Sequence, residues 1–529
     1  MRVFIYLLLT TFFCAGTALF AQEFNPFGTI TATDRQSDAH FGQAVSISEN
    51  YAIVGAIGTA PANTGTAYIY ERTENGDWVA AQALRASDGE NNDFFGFSVS
   101  ISEKYAVVGA YSEDAEPNDG AGAAYVFERS RNGEWQEVIK LVAPEREESD
   151  MFGLSVSISG NYIIVGALGD DDDANSQHEL SGAGAAYIYE RNPVGDWIYV
   201  QKLVAPDREA EDLFGNPVSI SGNYAVVGAV GEDEDANLRD KLEHAGSVYV
   251  FERNASGYWS FVQKVVPSDR GTKDLFGSTL DISGNYLIVG TTNETEDSSG
   301  NKDFTGSAYI FTRDDSTNRW FETQKLKASD GMPGDYFGIS VNISNYYAVV
   351  GAAYEDEDAF GGNRIDGSGA AYIFKRDLNN RWSQVQKIVP NNREYFARFG
   401  GSTSLSGQYI LVGALGADKD SSSSGSSLWD AGAAYFFKTN NVLSVEEKDF
   451  NGVVQSYPNP TLDYVTVDMG KVYPEIDVEI TNVAGQRVLN TRMQNEQQFD
   501  LHLDGSPGLY FISLRDREGR RRVLRLLKQ

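Results

Sequence analysis

The chain has 529 residues, 43 of them Lys or Arg and 75 Asp or Glu, for a formal net charge of −32. That balance repels phosphate and excludes a nucleic-acid partner, which would have to meet a matching basic stripe. With 41% hydrophobic and 12% aromatic residues, and 53 Gly against 14 Pro, the chain is too apolar for a disordered acidic tail and has the composition of short strands and many tight turns.

Residues 1–21 read as a signal peptide: Met1-Arg2 is a basic start, Val3 to Phe13 is almost unbroken apolar sequence, and small residues lead to Ala21. The run is too short for a membrane helix, and no later segment approaches ~18 consecutive apolar residues, so no transmembrane segment is expected. The only cysteine, Cys14, falls inside this segment, preceded by Phe13 where a lipidated cysteine wants a small residue. The mature chain is therefore expected to be held by its core and not by disulfides.

Residues 22–440 are built from an internal repeat. Phe-Gly recurs at Phe41, Phe95, Phe152, Phe214, Phe276, Phe337 and Phe399, at spacings of 54, 57, 62, 62, 61 and 62 residues. In the third copy Leu154, Val156 and Ile158 alternate with Ser155, Ser157 and Ser159, the period of a strand with one greasy face and one face of small hydroxyls. Gly160-Asn161 is a two-residue hairpin signal, and Tyr162 to Val165 is apolar throughout, as a strand covered on both faces requires. An acidic loop, Ala185 to Arg191 and the more polar Trp197 to Leu203 complete four strand signals, the last an outer edge. Seven such units predict an all-β fold, a seven-bladed β-propeller. The seventh copy ends near Lys438 without its last strand, whereas Phe27 to Thr33 resembles that strand; residues 27–33 are predicted to close the ring as the outer strand of the last blade.

Loops between second and third strands share a face with those between blades, and both are acid-rich. The former hold Asp170, Asp171, Asp172 and Asp173; Glu232, Asp233, Glu234 and Asp235; and Glu355, Asp356, Glu357 and Asp358. The latter place acids seven and two residues before Phe, as at Asp207 and Asp212, so that one face is expected to be strongly negative. Paired acids of this kind commonly cap turns, and charge runs commonly only solvate a surface. The sharper reading of the three runs is weak Ca²⁺ or Mg²⁺ association through adjacent hard oxygens, with no other cofactor expected. Trp78, Trp135, Trp197, Trp259, Trp320 and Trp382, demanded in every complete copy, read as packing and not as sugar platforms. His40, His178, His244 and His502 occupy non-equivalent places and no nucleophile or metallohydrolase motif occurs, so the chain is expected not to be an enzyme. For the hydrolase alternative, which would use propeller carboxylates, Asp281 is an example, standing where the inner strands otherwise carry small polar residues.

After a polar linker at 441–452, residues 453–529 show six short strand patterns of a small β-sandwich, with punctuation at Ala484-Gly485, Ser506-Pro507-Gly508 and Glu518-Gly519.

The Phe-Gly and Val-Gly-Ala pattern of residues 27–438 resembles the FG-GAP repeats of integrin α heads and bacterial surface proteins. The resemblance implies a ligand-binding loop face. The calcium loops of that family are not implied, because the first hairpins here hold only residues such as Gly160-Asn161. The tail resembles the C-terminal sorting domain of type IX secretion cargo in Bacteroidetes, through Tyr457-Pro458-Asn459-Pro460, Asn482 to Val488 with Gly485, Gly508-Leu509-Tyr510 and a basic last strand. It implies handling by the type IX machinery and a secreted or outer-membrane surface location. The function expected is non-covalent adhesion or capture of an extracellular glycan or protein; the alternatives are a structural spacer and a carbohydrate-active hydrolase.

Overall fold

The computed structural model describes residues 23–59, 63–114, 119–175, 177, 179–294, 303–377, 379–419, 428–439, 454–457, 461–482, 487–503, 506–516 and 521–528. The signal peptide at 1–21 with Cys14, the linker at 441–452, and His178, Pro458, Asn459, Pro460 and Gly485 lie outside the described residues. Every regular element among the described residues is a strand, and no helix among them is long and apolar enough to cross a membrane. The chain divides into two units, Met1–Asn440 and Asn441–Gln529.

The first unit is a seven-bladed propeller of four-stranded antiparallel sheets. In blade 3 the strands are Ser155–Ser159, Tyr162–Ala167, Ala185–Arg191 and Trp197–Leu203, in that order from the inside out. Burial follows the sequence pattern. Ile163, Ile164 and Val165 are fully buried because neighbouring blades cover both faces of the second strand, while Ile198 and Tyr199 of the fourth strand are exposed. The repeated Phe is fully buried in every blade; Phe152 meets Tyr187 and Tyr189 edge-on at 5.4 and 6.2 Å. Its partner across the blade boundary is a glycine for a steric reason. Gly65 has φ +88°, and a Cβ there would stand 2.0 Å from the carbonyl oxygen of Phe95.

The hydroxyl face of the first strand joins the blades. Ser46, Ser100, Ser157, Ser219, Asp281, Asn342 and Ser404 each accept the backbone N–H of the next blade's inner strand, at 2.8–3.4 Å. The seventh bond runs from the Ile47 N–H back to Ser404, so the chain of bonds is a closed circle. At the outer edge a second set operates. Gln201, Gln263 and Gln324 each hold both the N–H and the C=O of the next blade's Trp, as Gln263 does for Trp320 at 3.0 and 2.8 Å. Each of those Trp rings also packs edge-on against a Tyr of the preceding blade, as Trp320 does on Tyr224 at 5.9 Å.

The last blade closes as the sequence requires, with a shift. Phe24–Ile30, not 27–33, pairs with Ala433–Thr439, from Phe24 opposite Thr439 to Ile30 opposite Ala434. Both ends move by three residues because Phe24 takes the tryptophan position. Gln386 grips its N–H and C=O, each at 2.7 Å, and its ring meets Tyr347 at 5.1 Å.

The second unit pairs two sheets. Gln455–Tyr457, Tyr464–Tyr473 and Glu496–His502 form one; Arg487–Met493, Ile476–Asn482, Gly508–Asp516 and Arg521–Lys528 form the other. Val465, Val467, Ile480, Phe499, Ile512 and Leu514 fill the space between them. The strand patterns of the tail are thus those of a small sandwich.

Because Phe24 locks the seam, Phe24→Ala is expected to lower unfolding free energy by about 3–5 kcal/mol, the range for emptying a buried Phe site. Gln263→Ala, which frees one pair of rim bonds, is expected to cost about 1–3 kcal/mol. Urea titration of both variants measures this, and wild-type stability of Phe24→Ala would show that the N-terminal strand does not close the ring.

Candidate functional site

Loops between the second and third strands lie beside those between blades, joined by bonds such as Glu211 N–H to Ser181 C=O and Phe396 N–H to Asp366 C=O. This is the long-loop face, opposite hairpins as short as Gly160-Asn161.

The three four-acid runs fold alike, and the fold disperses their carboxylates. The leading acid points inward: Asp170 takes Lys202 at 2.7 Å and the Tyr187 hydroxyl, Glu232 takes Lys264 and Tyr249, and Glu355 takes Lys387 and Tyr372. Asp171, Asp233 and Asp356 accept the N–H of Gly182, His244 and Gly367, each 11 residues on. The backbone N–H of Asp172, Glu234 and Glu357 donates to the leading acid, and Asp173, Asp235 and Asp358 each accept two N–H groups of the turn that follows. No group of three or more His, Cys, Asp or Glu arranged to hold a metal ion occurs among the described residues.

The leading acids belong to a cluster repeated in blades 2 to 6. A Lys on the fourth strand sits opposite a Tyr on the third, with its ammonium 5.2–5.6 Å from the ring centre: Lys140 with Tyr125, Lys202 with Tyr187, Lys264 with Tyr249, Lys325 with Tyr309 and Lys387 with Tyr372. The acid seven residues before Phe joins it in four of these blades, as Asp88 does with Tyr125 at 2.8 Å and Lys140 at 2.6 Å. Much of the acidity expected on this face is therefore turned inward and neutralised. Burial works to raise Asp88, yet the bonds from Lys140 and Tyr125 outweigh it and hold the carboxyl below its ordinary value. Asp269, held by Lys325 and Tyr309, behaves likewise. The sequence carried a signal for this cluster, since Lys and the leading loop acid recur together in blades 2 to 6 and are both replaced in blades 1 and 7.

The second acid of each pair is a turn cap. Asp150, Asp212 and Asp335 accept the N–H of the third residue before them at 2.6–2.7 Å. Burial pushes all three up to about 7, opposed by that backbone bond and reinforced by the carboxylates of Asp170, Glu232 and Glu355 beside them. Asp281 is also pushed up to about 7 by burial, against bonds that include the Ile343 N–H and the Ser219 hydroxyl. Its oxygens accept from Ser219, Asn342 and Ile343, so it serves as one link of the inner circle. Trp135, Trp197, Trp259, Trp320 and Trp382 are buried and present no ring to a ligand. In the tail, Tyr510 is a core residue whose hydroxyl reaches Ser506 C=O, Gly508 pairs with Lys528, and Tyr457 is exposed.

On the long-loop face, exposed aromatic rings stand at blades 6 and 7. Phe360, Tyr395 and Trp429 are 97%, 66% and 76% exposed, and Phe396 stands beside Tyr395 with ring centres 4.4 Å apart. Sequence reasoning missed them because they fall outside the repeat pattern, which is itself the signal that finds them.

The FG-GAP repeat family matches residues 26–70, 78–127, 135–189, 197–251, 259–311, 320–374 and 382–437. The secretion system C-terminal sorting domain matches residues 455–527. No curated protein matches the chain. Similar solved structures include a provisionally named 6-phosphogluconolactonase from Bacteroides fragilis, at 12% identity and TM-score 0.44, covering 69% of this chain and 88% of that one. Another, from Lactobacillus plantarum, has 13% identity and TM-score 0.40 over 68% and 86%. Likeness at that level carries no functional argument.

The buried caps set a pH dependence. Each of Asp150, Asp212 and Asp335 titrates near 7 when folded and near 4 when unfolded, so folding takes up protons between those values and their burial costs stability as pH rises from about 4 to 7. Asp212→Asn keeps the cap and removes the charge. Its melting temperature is expected to exceed wild type by about 2 °C or more at pH 8, with a smaller gain at pH 5. An equal offset at both pH values would contradict the assignment.

Proposed function

The chain belongs to the FG-GAP repeat family and ends in a type IX sorting domain that delivers it to the cell surface or the extracellular space, and from that premise we propose that it is a non-enzymatic binding protein that captures extracellular glycan or protein ligands through its long-loop face. The observation that carries the proposal is the set of exposed rings on the long loops of blades 6 and 7, Phe360, Tyr395, Phe396 and Trp429, on a face beneath which the recurrent Phe of every blade is fully buried. Rigid exposed rings on loops held by a stable scaffold supply contact area at low entropic cost.

A non-catalytic role is supported by where the carboxylates lie. Asp281, the candidate for a hydrolase, is engaged by three protein donors. The leading acids of the runs are each engaged by Lys and Tyr. An activated acid or base needs an oxygen within reach of substrate, and these are closed off by their partners.

The test is a glycan and matrix-protein array probed with the full chain, with calcium and with chelator. Saturable binding to at least one class, unchanged by chelator, is expected. A folded protein that binds nothing on the array would contradict the proposal and favour the spacer.

A further inference from the structure

Blade 7 departs from its neighbours at the Tyr–Lys–acid cluster. Tyr435 on its third strand stands opposite Thr29, where five other blades place Lys. Ala417, fully buried, takes the place of the leading loop acid, since it makes the same backbone bonds to Ala414 and Gly432 that Asp170 makes to Ala167 and Gly184. Asn392, seven residues before Phe399, replaces the remaining acid. An ammonium and two carboxylates are thus missing from one blade. The space beside Tyr435 is an open cavity of about 260 Å³, bounded by Phe27, Gly28, Thr29, Asn391 and Asn392. Val389 to Asn392 also wall a longer groove of about 1060 Å³ that runs along the outer strand of blade 6 to the Phe360 loop.

The groove holds charged residues, but each is engaged within the protein. Lys387 binds Asp330 at 2.8 Å and Glu355 at 3.3 Å. Asp358 takes the N–H groups of Phe360 and Gly362 at 2.9 and 3.0 Å, and Arg393 takes the carbonyls of Asp356 and Asn363. What faces outward is a fully exposed ring at Phe360, the apolar edge of Val385 and the exposed amide of Asn391. A ring with neutral amides suits a ligand that has apolar CH faces and many hydroxyls. The groove follows the chain from Gln384 to Asn392 along the outer strand of blade 6, a course that suits an extended molecule. An anionic polymer is disfavoured by a chain of net charge −32 whose groove cations are paired. A peptide adding as a strand would want unpaired donors, and Pro26, at a register shift in the seam strand, removes one.

We infer that the groove between blades 6 and 7, whose own charged side chains are all engaged within the protein and whose seam end lacks the Tyr–Lys–acid cluster, is a binding site for a neutral oligosaccharide, with Phe360 as its stacking platform and Asn391 as a hydroxyl-binding amide. This rests on the reading of the chain as an extracellular binding protein and places that binding at one site.

The test titrates the full chain by calorimetry with neutral hexaoses (cello-, xylo-, laminari-, malto- and manno-) and with hexagalacturonate. At least one neutral hexaose is expected to bind. Phe360→Ala, at a fully exposed position, should weaken it at least 10-fold with unchanged melting temperature, and Asn391→Ala should weaken it measurably. Leu238→Ala, in the corresponding loop of blade 4, should leave it unchanged. Full affinity in both groove variants overturns the site while leaving a binding protein in place. Preference for hexagalacturonate overturns the ligand class. Binding of no hexaose, with protein ligands found on the array, overturns this inference alone; a blank array as well removes both readings.

Discussion

Everything in the propeller depends on closing a circle of seven sheets, and the inner ring of side-chain oxygens is what closes it. One acceptor per blade meets one N–H of the next, ending with Ile47 on Ser404, 357 residues apart in sequence. A repeat array without such closure would expose a sheet face and a strand edge at each end. The circle also explains why the first strand alternates apolar residues with Ser: one face packs between blades and the other carries the bonds that join them. Asp281 and Asn342, the two departures from Ser, are the links with the shortest bonds, at 2.8 Å, and each still accepts the next N–H.

Closure by an N-terminal strand has a consequence for chemistry. Blades 2 to 6 each draw their outer strand from the same repeat, complete with the Lys that neutralises the loop acids. Blade 7 draws its outer strand from the start of the chain, where Gly28 stands in the clamp position of Gln and Thr29 in that of Lys. Without the cation, buried carboxylates there would be unpaired and costly, and Ala417 and Asn392 occupy their places. Blade 1 shows the same coupling in part. Ala83 replaces Lys, Thr59 replaces the leading acid, and Asp34 is met instead by Arg85 at 3.2 Å. The seam is where the repeat is least constrained by its own electrostatics, and there the surface is open.

Much of this was legible in the sequence. Blade number, strand order, the two-residue hairpins and the origin of the closing strand all follow from repeats whose copies can be laid over one another. The closing strand begins three residues before the pattern Phe27 to Thr33 suggests, because Phe24 fills a position that six other copies give to Trp and nothing local marks it. The acids were legible as positions but not as partners. Their lysine lies on another strand and their tyrosine on a third, so that the pairing is visible only when copies with and without Lys are compared. The exposed rings at Phe360 and Trp429 were hidden for the opposite reason: they belong to loops that do not repeat.

The central claim is that the cavity at the seam, where the charge cluster is missing, forms one end of the ligand groove. It is tested most directly by restoring the cluster, with Thr29→Lys, Asn392→Asp and Ala417→Glu combined in the full chain. The account predicts a folded variant that melts at or above the wild-type temperature and has lost neutral-oligosaccharide binding, because Lys and its acids now fill the space beside Tyr435. A folded variant that binds the same sugar with wild-type affinity would contradict it.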